Sequence, residues 1–167
     1  KTVVGLPGVG ENLHDHPDVV LRYRCPRPVS LHRTVQPWGK AVAGLRWFLS
    51  KNGPAATNHF DVGAFIRSEA GIRHPDLQLS FLPLALAPGA VQSDQSIGEH
   101  GFQVHIDLVQ PKSRGRMWIT SDDANKPPRV RFNYLQEVED RRRLANGIEL
   151  SRAILAQQAM KNFLGQE

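Results

Sequence analysis

The segment from Phe102 to Leu108 constrains the fold most, because its side chains alternate in polarity. Phe102, Val104, Ile106 and Leu108 alternate with Gln103, His105 and Asp107. Successive side chains of a strand point to opposite faces, so this period of two predicts one face towards a core and one more polar face. Further strand-like runs lie at 19–25, 60–66, 77–82, 116–120 and 130–132. A Ser-Arg-Gly turn at 113–115 predicts that 102–109 and 116–120 form an antiparallel pair.

Two helices are predicted beside these strands. Apolar residues recur every three or four positions over 38–51, which predicts an amphipathic helix that ends at the Asn-Gly-Pro sequence after it. The longest helix is predicted over 136–160, and Gly147 costs it about 1 kcal/mol relative to Ala. The predicted buried stripe of this second helix consists of Val138, Leu144, Ile148, Ile154 and Leu155.

The order of these elements predicts the fold class. Residues 83–99 show no periodicity, which is typical of a lid or binding loop. The remaining pattern predicts an α+β fold, a mostly antiparallel β-sheet backed by helices on one face. It lacks the β-α-β alternation of a Rossmann unit. We therefore expect residues 1–167 to form a single domain.

Composition and charge exclude several classes of protein. The net charge is +5, but the basic residues are scattered, so a nucleic-acid partner is not predicted. No apolar run approaches the roughly 20 residues of a membrane span, so no transmembrane segment is predicted. Cys25 is the single cysteine. It excludes an internal disulfide and a cysteine-based zinc site, and it favours a cytoplasmic location.

The most specific motif is Leu-Pro-Gly-Val-Gly-Glu-Asn-Leu-His-Asp-His-Pro at 6–17. With Gly5, its glycines follow the order Gly-x-x-Gly-x-Gly and no helix follows them, so they predict a tight turn rather than a dinucleotide loop. His14, Asp15, His16 and Asp18 carry metal-binding groups. Adjacent side chains of an extended segment point to opposite faces, however, and no second ligand cluster follows, so no metal is predicted.

A second motif follows about a hundred residues later. It consists of Gln-Pro-Lys-Ser-Arg-Gly-Arg at 110–116, Ser-Asp-Asp at 121–123, Pro-Pro at 127–128 and Asn-Tyr-Leu at 133–135. In this order, the two motifs resemble the signatures of the glucose–methanol–choline (GMC) oxidoreductases, which are FAD-dependent alcohol oxidases and dehydrogenases. The choline dehydrogenase type is the most similar. Asp123-Ala124 departs slightly from the family's Asp-Pro.

The resemblance implies a role for the chain within a larger enzyme. It implies the substrate-binding domain of an FAD-dependent alcohol dehydrogenase, which oxidises a CH–OH group to an aldehyde or ketone by hydride transfer to flavin. The first motif lies mid-chain in the family, so we expect the flavin domain before residue 1 and the catalytic histidine after residue 167. The chain alone is then expected to bind no FAD and to be inactive. The alternative is a stand-alone, non-enzymatic binding module that uses the same pocket.

The resemblance also implies the site residues, although no catalytic residue is expected within the chain. Asn12, Asp15 and His16 would brace the cofactor side. Asp18 occupies the position where choline-type members carry an acid that faces the substrate's quaternary ammonium. Trp38 falls near their aromatic wall, where a cation–π contact would suit a cationic alcohol. A capping role for Asp18 and core packing for Trp38 are the structural alternatives.

One departure bears on the substrate. Ser80 stands where choline-type enzymes have a histidine that positions the alcohol. A serine hydroxyl still forms hydrogen bonds but holds no charge, which weakens choline as the substrate and leaves the identity of the alcohol open. The choice between oxidase and dehydrogenase is open as well. His59, His100 and His105 are lone histidines and receive no predicted role.

Overall fold

The computed structural model describes residues 4–88 and 96–167. Its strands and helices lie within a few residues of the predicted segments. In chain order they are β1 (Asp18–Arg24), α1 (Pro37–Ser50), β2 (Val62–Ile66), β3 (Leu77–Leu82), β4 (Gly101–Leu108), β5 (Arg116–Trp118), β6 (Arg129–Arg131) and α2 (Val138–Leu155). Short 3-10 turns occur at Leu31–Arg33, Pro54–Ala56 and Gln158–Met160. Within these described residues, no helix is both long and apolar enough to cross a membrane.

The main sheet has four antiparallel strands in the order β1-β4-β3-β2. The helix α2 packs against this sheet through β4, β1 and β3. The predicted α+β class with a mostly antiparallel sheet is therefore confirmed.

The predicted pairing of 102–109 with 116–120 is wrong. Both edges of β4 are occupied, by β1 and β3, and β5 pairs instead with β6 in a separate two-stranded sheet. The connection after β4 is also bonded elsewhere: Lys112 and Ser113 donate backbone hydrogen bonds to Asp140 at the start of α2. These hydrogen bonds hold residues 112 and 113 against α2, so β5 begins at a position where it does not lie beside β4.

The core lies between α2 and one face of the sheet. Its fully buried side chains are Leu77, Ile106 and Leu108, and Leu144 and Leu155 meet them from the helix. The predicted stripe of α2 is correct at these two positions and partly correct at Ile148. It is wrong at Val138 and Ile154, which are exposed. The inner line of the helix is completed instead by Asp140, Gly147 and Ser151, which are polar or small.

Helix α1 has the predicted extent, but most of its apolar side chains are exposed. Ala43 is its one buried residue, and the helix packs against the turn at Pro54–Ala56. Leu45, Phe48 and Leu49, which belong to the apolar residues that recur along this helix, are 60–73% exposed. Apolar spacing therefore located the helix correctly but did not identify what covers its apolar face.

The predicted loop at 83–99 is described at its two ends. Leu86 and Ser96 form an isolated antiparallel bridge, and the Ile97 amide donates to the Ala85 carbonyl at 3.0 Å. Residues 89–95 lie outside the described residues. The ends of the loop are thus paired with each other beside the sheet.

Gly147 is the point of closest contact between α2 and the sheet. A Cβ atom at this position would lie 2.9 Å from Ile106 Cγ2 and 3.0 Å from Leu77 Cδ1. Both neighbours are fully buried, so neither has room to move. The sequence-based view of Gly147 as a cost to the helix therefore omitted its function, which is to let the helix approach β3 and β4.

We predict that Gly147→Ala destabilises the fold by about 1–3 kcal/mol through overpacking, which outweighs the higher helix propensity of Ala. The matched control is Gly44→Ala in α1, where an added Cβ meets nothing within 4 Å. That variant should gain about 0.5–1 kcal/mol. Urea unfolding of both variants measures the difference, and equal shifts of the two midpoints would contradict the close-contact argument.

Asp140 anchors the second motif to α2 and is 1% exposed. It accepts the backbone N–H groups of Lys112 and Ser113 at 2.8 and 2.7 Å, and the Ser113 hydroxyl at 2.6 Å. Burial raises the pKa of Asp140, but these hydrogen bonds and the charge of Arg143 together lower it below its ordinary value of 3.8. The ionised carboxylate is therefore the form that stabilises the fold.

We predict that Asp140→Asn lowers the free energy of unfolding by about 2–3 kcal/mol at neutral pH, because the two hydrogen bonds from Ser113 to Oδ2 lose their acceptor and the bond from Lys112 to Oδ1 loses its charged acceptor. Since the folded-state pKa is depressed, this stabilisation exists above the unfolded pKa and is lost as pH falls through the folded pKa. The gap between wild type and variant should thus shrink below about pH 4. Urea unfolding across acidic pH measures it, with the exposed Asp122→Asn as control. A gap independent of pH would refute this account.

Candidate functional site

The sheet face opposite the core carries polar side chains from three neighbouring strands. On β4, His105 lies opposite Ser80 of β3, and Asp107 lies opposite Asp18 of β1. Because paired residues of antiparallel strands share a face, these side chains converge. A shallow cavity of about 350 Å³ opens there. It is lined by Asn58, Phe60, Gln78, Ser80, His105 and Asp107.

A chain of hydrogen bonds holds Asp18 in place. The Leu86 amide donates to Gln103 Oε1 at 3.0 Å, which turns Gln103 Nε2 towards His105 Nε2 at 2.7 Å. An amide nitrogen only donates, so His105 Nε2 accepts and its Nδ1 carries the hydrogen. That Nδ1–H donates to Asp18 Oδ2 at 2.7 Å, while the Ile106 amide donates to Asp18 Oδ1 at 3.2 Å. Both oxygens of Asp18 are thus engaged.

Asp107 differs from Asp18 because its carboxylate receives no hydrogen bond from any described residue. It is half-buried in the wall of the cavity. Burial raises the pKa of Asp107 above its ordinary value of 3.8, and the nearby Asp18 carboxylate raises it further. A positive charge on His105 or His16 would lower the pKa of Asp107 instead. An unpaired carboxylate with a perturbed pKa in a cavity is a feature typical of binding sites.

Asp18 and Ser80 were both predicted to contact substrate, and the structure brings them to one region. Asp18 is bonded to His105, and Ser80 lies opposite His105 in the sheet. Trp38 lies elsewhere: it is 80% exposed on α1 and lines a separate cavity of about 520 Å³ that shares no residue with the first. The core-packing alternative for Trp38 does not fit this exposure.

Asn12, Asp15 and His16 are exposed on the turn of the first motif. Asp15 Oδ2 accepts the Tyr134 hydroxyl at 2.9 Å, which joins the first motif to the second. This hydrogen bond, helped by the His16 amide, lowers the pKa of Asp15 below 3.8. The three side chains line neither cavity. Their predicted role on the cofactor side therefore stays a prediction.

Gly10 secures the same turn from the other side. Its carbonyl accepts the Met117 amide at 2.7 Å, and its φ is +84°. An added Cβ would lie 2.1 Å from the Met117 carbonyl oxygen. Glycine is therefore required where the first motif packs on β5, as the prediction of a tight turn implies.

Sequence reasoning missed several members of the site. His105 received no role, although it forms the link between Gln103 and Asp18. The signal that would have found it was available: Gln103, His105 and Asp107 are the polar half of the alternation that predicted the strand. Phe60 carried no such signal, since its contact with His105, at 5.5 Å between ring centroids, arises only from folding. Among residues 4–88 and 96–167, no cluster of three or more potential ligands suits a metal ion.

Comparison with known proteins identifies the class. Residues 111–166 match the family model described as GMC oxidoreductase. The oxygen-dependent choline dehydrogenase of Photobacterium profundum is 44% identical over 162 residues, which is 97% of this chain and 28% of that protein. The enzyme of the same name from Vibrio vulnificus is 42% identical over 165 residues, which is 99% of this chain and 29% of that protein.

Solved structures share the fold at lower identity. A formate oxidase superposes with a TM-score of 0.80 at 20% identity, over 95% of this chain and 32% of that chain. A pyridoxine 4-oxidase from Mesorbium loti superposes with a TM-score of 0.73 at 18% identity, over 99% and 28%. The chain belongs to the GMC oxidoreductase family. It is similar to the choline dehydrogenases named above and spans under a third of their length.

We predict that His105 occupies the neutral Nδ1–H tautomer. The Gln103 amide nitrogen can only donate a hydrogen bond, so the Nε2 atom of His105 must accept it. The ¹⁵N chemical shifts of the imidazole nitrogens measure this directly. Gln103→Leu removes the contact at Nε2 but leaves the Asp18 carboxylate on Nδ1, so Nδ1 should remain the protonated nitrogen while the shift of Nε2 changes; the exposed His14 serves as an internal control. An Nε2–H tautomer in the wild-type protein would contradict the proposed hydrogen-bond chain.

Proposed function

We propose that this chain is the substrate-binding domain of an FAD-dependent alcohol dehydrogenase of the choline dehydrogenase type. The observation that carries the proposal is the convergence of Asp18, Ser80 and His105 on one sheet face, in a chain 44% identical to a protein named as a choline dehydrogenase. The polar face would form one wall of a substrate pocket. The flavin domain of the same polypeptide would form the other and is the partner we propose.

The flavin, when bound, would accept the hydride from the alcohol carbon. The residues of this chain would bind and orient the alcohol. The Gln78 amide donates to Ser80 Oγ at 3.3 Å, which leaves the Ser80 hydroxyl hydrogen for the alcohol oxygen. Asp18 would supply negative potential for a cationic substrate, and His105 would hold its carboxylate in place. Asn12, Asp15 and His16 would contact the cofactor side, and Trp38 would contact substrate only if another part of the enzyme brings it closer.

The proposal also covers the location and the partner of the protein. A cytoplasmic location is proposed because Cys25 is a buried free thiol, which suits a reducing compartment. A small-molecule alcohol is proposed as the partner rather than a nucleic acid, because the basic side chains are scattered. Titration with duplex DNA at physiological salt checks the second point, where only weak, salt-sensitive association is expected.

We predict that the full-length natural gene product carries a flavin and that an alcohol bleaches its visible spectrum. The measurement is the absorption spectrum of the protein purified from its source, recorded without oxygen before and after addition of each member of an alcohol panel. A matched panel of alkanes without hydroxyl groups is the control. A colourless protein that nevertheless binds small alcohols would support the stand-alone binding module instead.

A further inference from the structure

The cavity on the polar sheet face contains one carboxylate that is ready to bind a ligand, and it is not Asp18. Asp18 uses one oxygen for His105 and the other for the Ile106 amide. Asp107 lines the cavity without a hydrogen-bond partner among the described residues. A half-buried carboxylate keeps only part of its hydration, and a ligand that supplies a hydrogen-bond donor would replace the part that burial removes.

The charge around Asp107 also favours a cation. Asp18 lies opposite it in the sheet, and the donor pattern at His105 corresponds to a neutral imidazole that leaves the charge of Asp18 in place. Among the described residues that line the cavity, none is lysine or arginine. Two neighbouring carboxylates repel each other, and a positively charged ligand between them would remove this repulsion.

The other cavity walls specify the kind of cation. Apart from the His105 ring, Phe60 is the one aromatic side chain among the described lining residues, so the cavity lacks the aromatic cage that favours quaternary ammonium groups. Gln78 donates through its amide nitrogen to Ser80, which leaves its carbonyl oxygen to accept. Asp107 and Gln78, which are paired in register, thus present hydrogen-bond acceptors side by side. Among ammonium groups, only one that retains N–H can donate hydrogen bonds to them.

The hydroxyl end of the same ligand has a separate partner. Ser80 lies two residues beyond Gln78 on β3, about 6–7 Å along the strand. Gln78 donates to the Ser80 hydroxyl oxygen, so the hydroxyl hydrogen of Ser80 remains free to donate to an alcohol oxygen. A short carbon chain can therefore place an ammonium at Asp107 and a hydroxyl at Ser80.

We infer that Asp107 is the residue of this site that binds the cationic group of the substrate, and that it selects an amino alcohol with at least one N–H over a quaternary ammonium alcohol. This inference rests on the proposed function for its reaction, but the binding that it describes is measurable without turnover.

The test uses the full-length flavoprotein and the variant Asp107→Asn, with Asp107→Ser as a second variant and the exposed Asp122→Asn as the matched control. Ethanolamine, choline and the neutral alcohol 1-propanol are compared by kcat/KM. We expect wild type to prefer ethanolamine over choline by at least about tenfold. Both Asp107 variants should lose about ten- to a hundredfold for ethanolamine, mainly through KM, and much less for 1-propanol, while the Asp122 control should leave kcat/KM for all three alcohols unchanged.

Calorimetric titration with methylammonium and tetramethylammonium separates this inference from the proposed function. Methylammonium should bind wild type more tightly, and its affinity should fall in both Asp107 variants, even if no alcohol bleaches the flavin. If alcohols are oxidised but the ratio of ethanolamine to choline is the same in wild type and both variants, the inference is wrong while the proposed function stands. Equal binding of the two ammonium ions to wild type would also overturn it.

Discussion

The structure depends on β4, an inner strand of the main sheet that is hydrogen-bonded on both edges and contributes side chains to both the core and the polar cavity. Its edges hold β1 and β3, so the sheet has no continuity without it. On one face, Ile106 is fully buried beneath Gly147 of α2. On the other, His105 and Asp107 line the polar cavity. Because side chains alternate strictly along a strand, a register shift of one residue would bring His105 into the core and expose Ile106. Burial of the apolar face therefore also positions the site.

The two motifs of the family are joined in space although about a hundred residues separate them. The hydrogen bond from Tyr134 to Asp15 connects them directly, and Leu13 forms a backbone bridge with Gly115. Asp140 then ties the second motif to the first turn of α2. The residues that made the family recognisable are thus largely those that attach the first turn and the β5–β6 sheet to the helix and the main sheet. The cavity itself lies on other residues.

Sequence patterns predicted the elements well where one residue property decided the outcome. The alternation over β4, the periodicity of α1 and α2, and the turn at Gly10 follow from side-chain direction and backbone freedom. Patterns failed where the outcome depended on neighbours. Apolar spacing on α1 did not reveal that Leu45 and Phe48 have no cover within the described chain. The proximity of β4 and β5 in sequence predicted a pairing that the occupied edges of β4 prevent.

By itself, the sequence determined the α+β class, the placement of helices and strands, and the family, because each depends on local periodicity or on a contiguous motif. The resemblance to the family then implied a shared site for Asp18 and Ser80. Only the tertiary structure decided which carboxylate is free. Asp18 and Asp107 are chemically identical and lie 89 positions apart in the sequence. The strand register places Asp18 where His105 and the Ile106 amide donate hydrogen bonds to it, and it leaves Asp107 facing the cavity. Hydrogen-bond partners of this kind are assigned by folding, since they come from residues distant in sequence.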